Sequence, residues 1–196
     1  MIDSTRHTVV GVVLRVHDGR LESLTRGVPL ERDETLEAAL ARAVDVDALA
    51  HHEQLETRVL PDGTLATIYV GLVPADRELD GDWLPADGDE LVSAAAGRLR
   101  AKLSYTNVGF ALAPAVFTIS ELREIYVAAL GHDVAATNLQ RVLVRRGVLE
   151  RVEGVRAPGR AGGRPAALFR FASSSLEVTD QFAVLAPRRP GSRASV

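Results

Sequence analysis

A chain of 196 residues, 46% apolar and 25% charged, suits one large globular domain or two small ones around a real core. It has no cysteine, which excludes disulfides, thiolate metal sites and cysteine nucleophiles and fits a reducing, cytoplasmic setting. No apolar run is long enough to span a membrane, and the opening "MIDSTRHTVVGVV" lacks a basic start before an apolar stretch, so neither a membrane segment nor a secretory signal is expected.

The net charge of −3 hides a division. Residues 1–133 hold 12 basic and 22 acidic side chains, whereas residues 134–170 hold eight arginines and two glutamates. Such a division predicts two modules with different partners, the basic one facing a polyanion.

In chain order, "HTVVGVVLRVHDGRLESLTRG" predicts two strands: an apolar run over Val9–Leu14, a hairpin turn at Asp18-Gly19, and a second strand from Leu21. In "DETLEAALARAVDV", Leu36, Leu40 and Val44 recur at helical spacing. "EQLETRVL" and "TLATIYVGLV" are further strands about a Pro61-Asp62-Gly63 turn. "PADRELDGDWLPADGD" is polar and turn-rich, so residues 77–90 are expected to be a linker. Leu91, Ala95, Leu99 and Leu103 then predict one long helix to about Tyr105.

The next helix start is unusually well marked. Thr118 as N-cap with Glu121 three residues on is a capping box, Phe117 and Leu122 are spaced as a hydrophobic staple, and Gly131 is a natural stop. After a short turn, "VAATNLQRVLVRRG" is a second helix with Leu139, Val142 and Leu143 on its apolar side. Two short helices about a tight turn predict a helix-turn-helix. "VLERV" and "AALFRF" flank a Gly/Pro/Arg-rich connection and predict a hairpin, hence a wing. The remainder, residues 174–196, is expected to be a disordered tail.

The outward face of the second helix offers Thr137, Asn138, Arg141 and Arg145, with Gln140 and Arg146 at its edges. Asn and Gln pair with adenine in the major groove and Arg with guanine, so these residue types suit base readout. The wing adds Arg156, Arg160 and Arg164, suited to a narrow minor groove.

The segments "FTISEL", Asn138-Leu139-Gln140-Arg141 and "GRPAALFRF" resemble the carboxyl half of NrtR-type regulators of NAD biosynthesis, and "HEQLET" at 52–57 resembles the strand after that family's Nudix helix. The resemblance covers about residues 8–171. It implies an α+β chain: a Nudix-like α/β/α sandwich over residues 1–76 that senses a ligand, and a winged helix-turn-helix over 91–173. It further implies a homodimer on a near-palindromic double-stranded DNA operator, acting as a repressor of NAD biosynthesis or salvage genes. No cofactor is required; the effector is ADP-ribose or a related NAD metabolite.

Nudix hydrolases carry glutamates on one helix that hold divalent cations. Aligned on Glu34, the pattern here keeps Arg42 but has Ala43, Val46 and Asp47 at its glutamate positions and Leu49 at a glycine, with Gly27 displaced by one residue. The helix is degenerate, so no metal site and no diphosphate hydrolysis are expected. Arg26, Arg42, Glu53 and Gln54 are the candidate effector-binding residues, with Arg42 also able to pair with Asp45. His51-His52 alternate across a strand, which argues against a metal pair. Tyr105-Thr106-Asn107 carry no activated-nucleophile pattern. The alternatives are a divergent Nudix hydrolase of a nucleoside diphosphate derivative, and a winged helix binding an acidic protein.

Overall fold

The computed structural model describes residues 6–157 and 165–180. Its larger sheet is built from β1 (His7–His17), β2 (Arg20–Pro29), β3 (His51–Val59), β4 (Leu65–Val73) and β5 (Leu84–Pro85), in the order β3-β4-β1-β2-β5. β1 runs parallel to β4, and the other pairs are antiparallel. The β1–β2 turn uses Asp18 at φ 48° and Gly19 at φ 71°, two consecutive left-handed residues that match the right-handed strand twist.

Both faces of this sheet are covered, which explains the continuous apolar run in β1. Val9 and Val13 join Tyr69 and Val73 beneath α1 (Leu36–Ala43). Val10, Val12, Leu14 and Val16 face the other way with Ile68 and Leu72, beneath α2 (Glu90–Tyr105). Glycine permits the close approach of the α1 layer: a Cβ at Gly11 would lie 3.1 Å from Val44 Cγ1, and one at Gly71 2.9 Å from Leu49 Cδ1. The expected α/β/α sandwich is therefore present. The helix over "DETLEAALARAVDV" is shorter than its period suggests, because Val44 is already extended and Val46–Ala48 form a separate 3₁₀ turn.

The segment expected as a linker is partly sheet. β5 pairs with β2 inside residues 77–90, Trp83 packs on the α1-side core with its indole N–H donating to Leu79 O, and Arg15 stacks 4.0 Å from the Trp83 ring. α2, read as the opening of the second module, packs on β1 with Val92, Ala95, Leu99 and Leu103 and also meets the next helix. That next helix packs beside α2 on this same layer, touching β1 and β2 as well, so the side of α2 away from the sheet stays exposed at Ser93, Gly97, Ala101 and Ser104. The N-terminus of α2 is capped by Asp89, whose carboxylate accepts from the N–H groups of Leu91 and Val92.

The carboxyl-terminal module contains α3 (Ile119–Leu130) and α4 (Ala136–Arg145) with a three-stranded sheet ordered β6-β8-β7, where β6 is Phe117–Thr118, β7 Leu149–Arg156 and β8 Ala166–Phe171. The winged helix-turn-helix expectation holds. One apolar core runs from the large sheet through α2 into Leu122, Ile125, Leu139, Leu143 and Phe169. Burying each such side chain contributes on the order of 2 kcal/mol relative to exposure.

The tail expectation fails over its first part. Residues 174–180 return to the body: Val178 pairs with Thr106, and the N–H groups of Thr179 and Asp180 donate to Tyr105 O. The buried Asn107 side chain supplies the anchor, because its amide satisfies two backbone groups of the segment. Residues 181–196 lie outside the described residues.

The capping box forms as read: Thr118 Oγ1 accepts from Glu121 N at 3.2 Å and Glu121 Oε2 accepts from Thr118 N at 2.7 Å. Thr118→Ala removes the first of these bonds. It is expected to cost about 1 kcal/mol and lower the melting temperature by about 2–4 °C, read by circular dichroism.

Candidate nucleic-acid interface

The turn between α3 and α4 is fixed by Arg123, whose guanidinium donates to Val134 O at 2.7 Å and pairs with Asp133. Gly131 closes α3 at φ 75°. α4 then buries Leu139 and Leu143 against α3 and turns its opposite side to solvent. On that side Thr137, Gln140, Arg141, Val144 and Arg145 line a shallow open groove of about 420 Å³. Their spacing of three and four residues is that of one helical face.

Gln140, expected at the edge, lies in this groove, whereas Asn138 stands beside it and accepts from Arg141 Nη2 at 2.8 Å. Val144 was missed by the sequence reading, although it is 49% exposed among polar neighbours. Its position seven residues after Thr137 was the available signal. A helix face presenting amide, guanidinium, hydroxyl and methyl groups can read base edges in a major groove.

Arg146 is a correction. It turns inward, 14% exposed, and donates through Nη2 to Asp180 at 2.7 Å. Arg156, half-exposed, reaches back from β7 to Glu121 Oε1 at 2.7 Å and to Val116 O, so the capping-box glutamate also ties the wing to α3. Arg170 forks onto Glu150 across the hairpin. Arg160 and Arg164 lie outside the described residues.

The four effector candidates do not converge. Arg26 sits on the α1 side of β2, beside Gly11, and donates to Asp80 O at 3.0 Å. Together with Asp45, Glu78, Leu79 and Asp80 it lines a cleft of about 300 Å³. Gln54 lies opposite Tyr69 on that same sheet face and bonds Thr57. Glu53 points to the other face, held by Lys102 Nζ at 2.8 Å and Arg98 at 3.4 Å, both on α2. His51 shares that side, and its pKa is lowered by burial; exposed His52 faces away, as strand alternation requires.

Arg42 does not pair with Asp45. Its Nε and Nη2 grip both oxygens of Glu34 at 2.8 Å, and Nη2 also donates to Pro29 O. Asp45 instead caps the 3₁₀ turn by accepting from Asp47 N. The sequence reading missed this clamp because Glu34 precedes α1 and its partner lies eight residues away.

Residues 109–171 match the family described as the NrtR DNA-binding winged helix domain. The carboxyl-terminal module is an NrtR-type winged helix. An ADPR responsive transcriptional repressor, NtrR of Acinetobacter baylyi, is 37% identical over 89 residues, covering 45% of this chain and 34% of that protein. The match thus spans about a third of that relative's length. The NrtR of Shewanella oneidensis, solved in complex with a 27mer DNA, superposes with a TM-score of 0.65 at 24% identity, over 84% of this chain and 92% of that one. A MutT/nudix family protein from Enterococcus faecalis gives 0.64 at 16% identity, over 88% and 90%. These last two likenesses extend the fold agreement across both modules.

In the α/β/α module, the positions aligned with the Nudix glutamates hold Ala43, Val46 and Asp47. α1 ends at Ala43, Glu34 is clamped by Arg42, and among the described residues no three of His, Asp or Glu are grouped to hold a metal ion.

The Arg42 hydrogen bonds, aided by the N–H of Glu31, hold the Glu34 carboxyl at about 2 instead of the ordinary 4.5. A carboxyl lowered on folding stabilises the folded state above its ordinary value and loses that contribution as pH falls toward the folded value. Glu34→Gln is therefore expected to lower the melting temperature near neutrality, with the gap to wild type closing as pH drops from about 4.5 toward 2. A gap independent of pH would show that the clamp is not ionic.

Proposed function

We propose that the chain is a DNA-binding transcriptional regulator, a repressor of NAD biosynthesis or salvage genes, controlled by ADP-ribose or a related nucleotide on its Nudix-like module. The observation that carries this is the solvent-facing side of α4, where Thr137, Gln140, Arg141 and Arg145 stand together on an NrtR-type winged helix. Support comes from the charge division and from the name of the Acinetobacter relative, which is ADPR responsive.

In this reading α4 enters the major groove and the wing lies along the flanking backbone. Arg141 takes a guanine edge, Asn138 orients Arg141, Gln140 takes an adenine, and Arg145 takes a phosphate. A homodimer would set two α4 helices about 34 Å apart on a near-palindromic operator. The effector acts by favouring one spacing of these helices over another, since only differential affinity shifts such an equilibrium. The Arg26 cleft beside α1 is the favoured effector position, with Gln54 on the same sheet face; Arg42 shapes α1 and Glu53 ties β3 to α2.

Gel shift with DNA from upstream of NAD salvage and de novo genes, with and without ADP-ribose, tests the whole reading. A shift that ADP-ribose alters is expected; no shift with any such DNA overturns it. Arg141→Ala is expected to cost roughly 1–3 kcal/mol and relax preference at one base position, whereas Arg145→Ala should weaken all sequences alike and lower the salt slope by about 1. The module is expected not to turn over ADP-ribose with Mg²⁺ or Mn²⁺. Steady release of ribose phosphate from pure protein would replace the regulator's sensor with an enzyme.

A further inference from the structure

The segment after β8 forms a strap between two helix ends. At one end it is held on the C-terminus of α2: Asn107 Nδ2 donates to Ser175 O at 2.8 Å, Glu177 N donates to Asn107 Oδ1 at 2.7 Å, and Asn107 N donates to Glu177 O at 3.1 Å. Thr179 and Asp180 add two N–H bonds to Tyr105 O at 2.8 and 3.1 Å. At the other end the Asp180 carboxylate receives Arg146, the residue that caps α4. Arg146 also lies close enough to the Tyr126 hydroxyl of α3 for its charge to oppose the upward pKa shift that burial gives that phenol.

We propose that Arg146 and Asp180 are positioning residues for DNA binding: the strap fixes the end of α4 against the end of α2, and so sets the angle at which the exposed face of α4 meets the groove. The proposal rests on the DNA-binding reading. Its physical basis is that α4 is short, ten residues, and that Ala135 at its N-terminus offers no side-chain cap. Arg123 holds the turn before α4 through Val134 O, and the Arg146–Asp180 bond supplies the matching hold at its other end. The Arg146–Asp180 bond is charge-assisted and largely sheltered, the kind that fixes geometry as well as adding energy. Asp180 is not placed there to serve the helix dipole, because a carboxylate at a helix C-terminus is unfavourable by itself.

Two electrostatic signs oppose each other, and this makes the idea testable. A carboxylate near a DNA-binding helix repels phosphate, so through charge alone Asp180→Asn strengthens DNA binding. Through positioning it weakens binding.

The experiment uses the full chain and the duplex that wild type binds most tightly in selection from a random library, with fluorescence anisotropy read across salt. For folded Asp180→Asn, specific binding is expected to weaken roughly three- to tenfold, with Asp180→Glu restoring most of it. Arg146→Gln is expected to weaken binding by a similar factor with the salt slope unchanged, and the double variant to be no worse than either single one. A phosphate-contacting Arg146 would instead lower the slope by about 1 and add to the Asp180 effect. Unchanged or tighter binding by Asp180→Asn, or that slope change in Arg146→Gln, overturns the strap while leaving DNA binding intact. Failure of wild type to bind any duplex overturns both.

Discussion

The packing of α2 is the constraint on which the rest of the molecule depends. One side of this helix buries Val92, Ala95, Leu99 and Leu103 on the sheet, and α3 packs on the same helix, so sheet and winged helix share one apolar core. Burial of that kind is non-directional and would by itself allow the helix to slide or rotate. Polar contacts from both ends remove that freedom: Glu90 pairs with Arg58, Lys102 and Arg98 with Glu53, and the Tyr105–Asn107 backbone with the returning strap. The lysine–glutamate pair is largely sheltered, so it fixes position more than an exposed pair would.

The arginine-rich module shows why a charge count overstates an interface. Of its eight arginines, Arg146, Arg156 and Arg170 are engaged by Asp180, Glu121 and Glu150, and Arg160 and Arg164 lie outside the described residues. Arg151 is exposed on β7, and Arg141 and Arg145 stand on the open face of α4. Each phosphate neutralised contributes about 0.9 to the salt slope, so the paired arginines should not be counted toward it. Arg156 ties the wing to the capping box of α3, and Arg170 staples the two wing strands at their base.

What could be read from the sequence follows the range of the interaction. The helix-turn-helix was legible because its signals are local: Thr118 and Glu121 are three residues apart, Gly131 ends the helix in the left-handed region, and Leu139 and Leu143 are one turn apart. The two-sided sheet was legible because uninterrupted apolar runs imply burial on both faces. The roles of Arg42, Arg146 and Arg156 were not, since their partners lie 8, 34 and 35 residues away and no period connects them. Residues 174–180 failed for a related reason. Their polar composition reads as tail, and only the buried Asn107 amide, 70 residues upstream of Glu177, turns that polarity into pairing. Glu53 was placed with the effector set because it adjoins Gln54, yet strand alternation alone assigns neighbours to opposite faces.

The strap gives the proposed allostery a physical carrier. Between the Arg26 cleft and the face of α4 a signal can cross α3, which packs on β1, β2 and α4, or α2, which meets the sheet with its apolar side and the strap with its C-terminus. A ligand that binds both arrangements of α2 equally shifts nothing, however tightly it binds. One that prefers a single arrangement by about 1.4 kcal/mol changes the balance tenfold. Because α4 is short and held by Arg123 before its start and by Arg146 at its end, a small rotation of α2 reaches it through the strap. In the proposed dimer such a rotation would change the angle of the reading face, and two such faces would convert that angle into a change of spacing on the operator.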